Sequence, residues 1–285
     1  MDILFYDREN VPTSVEDLGL ALKQVGAADC ETLFIHSDVL FGRPAVGFKR
    51  SVYLQSIYDI IIDLGVSNII VPTFTYSFPN KEDYDIQKSK TSMGSFSEFV
   101  RKMPERYRTD DPLLSVSVPL SLEQKFKHVS SHSLGEGSAL DILHHMDDVK
   151  FLFFGAKMAN CFTYVHYVEK MMDVPYRFDM AFEGNVIYPE GHVKQRKQTI
   201  HTQCYGVKLP TEYDYFEKEM EEQGFLKKVR VADKYIACLS EKDAYREIKQ
   251  HIEKDINYFL EKPFVSSELI HKYTYSAKDG RITHC

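Results

Sequence analysis

The sequence has no tryptophan, no apolar run long enough to span a membrane, no excess of basic residues and no cysteine pair at metal-ligand spacing. Each absence removes a class of function. Without a stretch of about 20 apolar residues there is no candidate membrane helix. A formal net charge of -7 argues against a nucleic-acid-binding protein, which needs a basic face to neutralise phosphates. The five cysteines, at positions 30, 161, 204, 238 and 285, are scattered and odd in number, which does not suit a complete disulfide framework. The amino terminus lacks a positive region ahead of its apolar residues, so no secretory leader is expected. A cytoplasmic protein in a reducing compartment is the expectation, with no membrane and no nucleic-acid polymer as partner.

What remains is ordinary for a folded globular chain: 44% hydrophobic and 27% charged residues, with 19 Phe and 18 Tyr as a mild aromatic bias. At 285 residues the chain suits one α/β domain over 1–285 with a small appended region. Short apolar strands alternate with helical periodicity. Thr13 and Glu16 have capping-box spacing ahead of Val15, Leu18, Leu22 and Val25, predicting a first helix that ends near Gly26. Strands are predicted at Thr32 to Ile35 and Asn68 to Val71, separated by a helix from Arg50 to Leu64. The alternation predicts an α/β fold, a layered sheet flanked by helices with some parallel pairing.

After Pro72 the periodicity stops. Residues 73–94 form a polar, aromatic loop, long enough inside a compact domain to be functional. Ser95 and Glu98 suggest a second capping box, Leu113 to Leu120 a strand, Ser121 with Gln124 a short helix, and Ser138 the cap of a helix running to about Met146. Residues 176–239 are hairpin-rich. Arg177 to Glu183 and Val186 to Tyr188 flank Gly184-Asn185, a turn dipeptide; strands are predicted at Gln198 to Leu209 and within Leu226 to Leu239. Helices are expected at about Thr211 to Glu222 and Ser240 to Leu260.

One stretch carries chemistry. Val149 to Phe154 reads as a buried strand stopped by Gly155, and a helix follows. On it Cys161, Val165, Val168 and Met172 form an apolar stripe beside a polar one of Thr163, His166 and Glu169. Open α/β sheets place ligands just past the carboxyl end of a buried strand, which makes His166 a candidate base rather than only a core histidine.

Several blocks, in order over roughly residues 14 to 205, resemble the aminoglycoside 3-N-acetyltransferase family: His36-Ser37, Pro72-Thr73-Phe74, Met93-Gly94, Arg108 with Pro112 and Ser115, Gly135-Glu136-Gly137-Ser138, and Thr163 to Glu169. The resemblance implies acetyl transfer from acetyl coenzyme A to an amine on a sugar. It implies His166 as general base with Glu169 orienting it, and a coenzyme site at His36, Ser37, Asp38, Val39, Thr73, Ser92, Met93 and Gly94. There are departures. Asp111-Pro112 stands where drug-modifying members commonly have His-Pro, and Leu114 where they have another histidine. The 72–78 loop with Tyr84, Asp85 and Ser89 looks more like the branch of bacterial surface-polysaccharide pathways. No densely acidic cleft for a polycation is readable. The expected acceptor is therefore a nucleotide-linked (dTDP-type) 3- or 4-amino deoxysugar, with aminoglycoside resistance as the alternative.

Tyr76, Tyr84, Asp85, Asp111 and Glu136 are candidate acceptor contacts, by stacking or by attracting ammonium. Lys194-Gln195-Arg196-Lys197 could face phosphates or be an exposed turn. Three rivals are weighed. Cys161 as a nucleophile would make a cysteine-dependent hydrolase or a ping-pong enzyme, but its place on the apolar stripe favours packing. His144-His145 with Asp147 and Asp148 lack the i, i+4 spacing of a zinc helix, so no metal is expected. A non-catalytic coenzyme A-binding protein would not need an intact His166 and Glu169. A homodimer is compatible with the sequence.

Overall fold

The computed structural model describes residues 3–45, 49–272, 274–276 and 281–283, so Cys285 lies outside the described residues. The chain opens with a small antiparallel sheet, β1 (Ile3–Tyr6) against β2 (Pro12–Ser14) and β4 (Arg43–Pro44). Between them run α1 (Val15–Gln24) and β3 (Thr32–Ser37). There follow α2 (Arg50–Ile62), β5 (Asn68–Pro72), β6 (Tyr84–Asp85), α3 (Gly94–Val100), β7 (Arg106–Arg108), β8 (Val116–Pro119), α4 (Glu123–Phe126) and α5 (Ala139–His144). The second half holds β9 (Val149–Phe154), α6 (Met158–Cys161), α7 (Tyr164–Met171), β10 (Arg177–Ile187), β11 (Val193–Gln203), α8 (Asp214–Glu222), β12 (Lys227–Val231), β13 (Lys234–Ser240) and α9 (Glu241–Lys254).

The main sheet has seven strands in the order β12-β13-β9-β3-β5-β8-β7. Its centre, β9-β3-β5, is parallel, and both flanks are antiparallel. Strand alternation divides the apolar residues between two cores. Leu33, Ile35, Ile69, Val71, Leu152 and Phe154 face α1 and α2, whereas Phe34, Phe151 and Phe153 face α5, α7 and α9. Burial on both faces is why these strands read as continuous apolar runs. The chain leaves β3 toward β5 on one side and returns as β9 on the other, so β3 marks a reversal of strand order. The crevice at its carboxyl end, Ser37 beside Phe154, is where this class of sheet binds ligands.

Gly155 makes that end possible. It sits at φ +70°, and a Cβ there would lie 2.2 Å from the Asp38 carbonyl oxygen and 2.9 Å from the Phe41 ring. No larger residue fits without moving backbone.

Several elements differ from expectation. The first capping box is Ser14 with Asp17, one residue later than the Thr13–Glu16 spacing suggests: Ser14 Oγ accepts from Asp17 N, and Asp17 accepts from Ser14 N at 2.9 Å. Ser95 and Glu98 form no box; α3 begins at Gly94 and Glu98 instead binds the Arg101 guanidinium. The helix after Gly155 is two helices broken at Phe162, with Cys161 ending the first. Gly184-Asn185 is not a turn. β10 runs straight through it, paired with β11 from Arg177↔Gln203 to Ile187↔Val193, and the reversal lies at 188–192. The glycine is needed there for another reason: a Cβ would meet the Phe78 ring at 2.6 Å.

Gly155→Ala is expected to destabilise the fold by at least about 2 kcal/mol, combining left-handed strain with overpacking. Gly65, also at positive φ but with no atom within 4 Å of a built Cβ, should cost only the conformational strain of about 1–2 kcal/mol. Urea denaturation of the two alanine variants compares them, and equal losses would refute the steric account of Gly155.

Candidate active site

The end of β9, the two short helices and the start of β10 bring four side chains together. α7 places His166 and Glu169 one turn apart on the same side, and the imidazole Nδ1 lies 2.8 Å from Glu169 Oε2. Glu169 is fully buried. It keeps its charge there because Tyr176 donates its hydroxyl to Oε1 at 2.9 Å and Arg177 Nε lies 2.7 Å from Oε2. Burial alone would push the carboxyl up; the Arg177 guanidinium and the bonds from His166 and Tyr176 outweigh it and hold it below its usual range. For His166, burial and then the Arg177 charge lower the pKa, against a smaller opposing pull from Glu169.

Two groups approach the same imidazole nitrogen, since Arg177 Nη2 is also 2.8 Å from Nδ1. For a neutral ring they are alternatives. If Nδ1 carries the proton it donates to Glu169, and Nε2 keeps a lone pair. Were Arg177 to donate to Nδ1 instead, Nε2 would carry the proton and could not act as a base. Ionised Glu169 can only accept and Arg177 can only donate, so each contact selects one tautomer, and a base at Nε2 requires the first.

His166 and Arg177 line a cavity of about 350 Å³ whose other walls are Tyr76, Pro79, Leu113, Met180, Phe182, Ile200, Thr202, Gln203 and Leu209. None of these described residues is Asp or Glu. A larger groove of about 750 Å³, lined by Arg106, Lys127 and others, includes Lys194 of the basic run and Arg108 but none of the expected catalytic, coenzyme or acceptor contacts. Volume therefore does not single out a site; the buried dyad marks the smaller cavity as the candidate.

The expected acceptor contacts divide. Tyr76 lines the cavity at φ +52°. Tyr84, Asp85, Asp111 and Glu136 do not line it. Tyr84 is fully buried and gives its hydroxyl to the Thr109 carbonyl at 2.9 Å. Asp85 accepts from the backbone of Gln87 and Lys88 in a turn. Asp111 is buried and accepts from Leu113 N, Leu114 N and Ser133 Oγ, shaping the segment that delivers Leu113 to the cavity. Glu136 is exposed between two turn glycines.

The coenzyme positions divide too. His36 is buried and stacked on Phe153 at 5.5 Å, its pKa lowered to about 4 by burial, so it packs rather than binds. Val39 is buried and its carbonyl accepts from Tyr53. Asp38 is exposed and pairs with Lys234. Thr73 is buried, tied to Ser115 and Arg108. Ser92 is exposed and its hydroxyl donates to Phe74 O, while Met93 packs on the core. Ser37 is different: its buried Oγ has no hydrogen-bond partner among the described residues, and Gly94 stands across from the Ser37 carbonyl. An orphaned hydroxyl at a strand end fits a polar ligand.

Arg108 holds this side together. Its guanidinium donates to the carbonyls of Ile86, Ser89 and Thr73, pinning the start and the 86–89 stretch of the 73–94 loop to the end of β7. The cysteine rival loses its footing. Cys161 donates to the Lys157 carbonyl, and burial pushes its thiol up to about 12, far from a thiolate nucleophile. His144 is held by Glu241 and stacked on Tyr245, and among the described residues no group of three or more His, Cys, Asp or Glu is arranged to hold a metal ion. The four described cysteines are free thiols, and no described helix is long and apolar enough to cross a membrane. The 194–197 run lies on β11, not in a turn, with Arg196 paired to Asp110 at 2.7 Å.

Comparison with known proteins decides the family. The family model described as aminoglycoside 3-N-acetyltransferase matches residues 50–253. The chain belongs to the aminoglycoside 3-N-acetyltransferase family. Among solved structures, aminoglycoside acetyltransferase AAC(3)-Xa superimposes with a TM-score of 0.71 at 17% identity, over 87% of this chain and 94% of its own. AAC-IIIb in binary complex with CoASH gives 0.68 at 19% identity, over 89% and 99%. The YokD protein from Bacillus subtilis gives 0.68 at 17% identity, over 90% and 96%. At these identities the structures show the fold alone. No curated protein matches. Membership of this acetyltransferase family gives the chain's activity class, N-acetyl transfer.

His36, His166 and His201 share lowered pKa values, to about 4 for His36 and His201, all through burial first. Each is neutral in the fold and takes up a proton near pH 6.5 when unfolded. Their contribution is therefore fully present above pH 6.5 and is lost as pH falls below it, down to about 4 for His36 and His201, at up to about 1.4 kcal/mol per pH unit for each group. Denaturant midpoints at pH 7, 6 and 5 measure this, and His36→Phe should flatten the slope.

Proposed function

We propose that the chain transfers acetyl from acetyl coenzyme A directly to a primary amine of a small-molecule amino sugar, with His166 as general base. What carries the reading is the buried Glu169 at 2.8 Å from His166 Nδ1 beside an open cavity. Glu169 holds the tautomer in which Nε2 has its lone pair. The acceptor amine attacks the thioester carbonyl carbon, Nε2 takes the proton it sheds, and the carbon–sulfur bond breaks with its electron pair on sulfur; the departing thiolate takes that proton from the imidazolium and leaves as the thiol. Ser37 and the Gly94 turn would hold part of the coenzyme at the end of β3, which their orphaned hydroxyl and open backbone support.

Family membership favours an aminoglycoside amine as acceptor over a nucleotide-linked sugar. One observation favours a second reading. The described cavity lining has no carboxylate to meet a polycation, so an amino deoxysugar with a single amine suits it, its C–H faces against Tyr76, Leu113 and Phe182. Thiol release assayed across aminoglycosides and singly aminated, nucleotide-linked sugars separates the two.

His166→Gln should lower turnover by about 10²- to 10⁴-fold, the usual contribution of a positioned base, with little change in coenzyme affinity. Cys161→Ala should leave turnover near the parent's. Near-normal turnover in folded His166→Gln, or its loss in Cys161→Ala, would overturn direct transfer.

A further inference from the structure

Arg177 was not among the residues expected from sequence, yet its side chain touches both members of the dyad. Its side chain is 4% exposed, and its charge has no carboxylate other than Glu169 within ion-pairing reach among the described residues. The remaining charges nearby are matched elsewhere. On α7, Lys170 pairs with Asp179 of β10 at 2.8 Å; His201 of β11 and His132, ahead of α5, also meet Asp179, at 2.8 and 3.0 Å. Tyr176 is engaged with Glu169, and Tyr213, ahead of α8, is a neutral phenol.

We propose that Arg177 is a positioning residue that keeps His166 an uncharged base, by neutralising the buried Glu169 while standing 2.8 Å from the imidazole. This rests on the reading of His166 as the base. The argument is one of charge count. With Arg177 present, Glu169 and the guanidinium sum to zero, so protonating the imidazole would bury a net positive charge. With Arg177 replaced by a neutral residue, imidazolium and carboxylate would form the neutral pair, and the proton would be held rather than refused. A His–Glu dyad without the arginine would thus hold a proton more tightly and offer less of the free base at neutral pH. The arginine keeps Glu169 as an orienting acceptor without letting it turn the base into its conjugate acid.

The test is NMR titration of the His166 ring in full-length protein, assigned by loss of its signal in His166→Gln, together with the pH profile of kcat/KM. Arg177→Gln should raise the His166 pKa and move the acidic limb of the profile up by about 1–3 pH units, the range for removing a charge at this distance. Arg177→Lys, which keeps the charge, should stay near the parent's value. A folded Arg177→Gln with an unmoved His166 pKa and acidic limb overturns the proposal. Should that variant not fold by circular dichroism, Glu169→Gln carries the test. Arg177 then stands alone beside the ring, and the His166 pKa falls further; a rise overturns the proposal. The ring titration is independent of turnover. If His166→Gln proves active, the functional reading fails, while the effect of Arg177 on the ring is still measured.

Discussion

A carboxylate with no exposed surface stands at the centre of this molecule, and much of the second half of the chain is arranged to make it tolerable. An ionised group so placed is costly unless each lone pair meets a donor and its charge is matched. Glu169 is met from two directions: His166 on its own helix and Tyr176 hydrogen-bond to it, and the Arg177 guanidinium at the start of β10 pairs with its charge. That requirement fixes how α7 hands over to β10. The five residues between Met171 and Arg177 turn the chain so that two consecutive side chains, Tyr176 and Arg177, both reach back to the helix they have just left.

The sheet supplies the other half of the site by a different logic. Parallel strands buried on both faces bring their carboxyl ends to one edge, and the reversal of order about β3 opens a crevice there. The crevice is kept by close backbone approach, Gly155 against the Asp38 carbonyl and Gly94 near that of Ser37. On its far side one buried cation does what a strand would otherwise do. Arg108 gathers three carbonyls of an aperiodic loop, satisfying backbone acceptors that have no ladder partner and placing Tyr76 in the cavity wall.

The parts legible in the sequence are those governed by local periodicity. Strands β3, β5 and β9 follow from apolar runs between breakers, and His166 with Glu169 follows from a three-residue spacing on a helix. What was not legible depends on long-range packing. Gly184-Asn185 has the composition of a turn, but the glycine answers to the Phe78 ring and the strand continues through it. Tyr84 and Asp111 look like surface ligand contacts because their polar atoms are visible in a sequence, whereas the backbone partners that consume those atoms are not. Arg177 escaped for the same reason. An arginine at the start of a strand is usually solvated, and only the fold shows it folded inward onto Glu169. The signal that could have raised it is its neighbour: a Pro175-Tyr176-Arg177 step directly after a helix ending in a candidate dyad.

The proposed base has its counterpart in the amine that would meet it in the cavity. An amine in water at neutral pH is mostly ammonium and has no lone pair to offer. Inside a cavity whose described walls carry no carboxylate, and where Glu169 already offsets the Arg177 charge, the charged form is penalised by desolvation. The amine therefore enters more readily as the free base, already competent for attack. A cavity lined with carboxylates would bind ammonium more tightly and, by the same interaction, stabilise the unreactive form; tight ground-state binding of that kind does not speed the chemical step. On this account a carboxylate-free wall and a neutral imidazole serve one end, since both leave a proton with nowhere favourable to reside until the carbon–nitrogen bond begins to form and the amine nitrogen sheds it to Nε2.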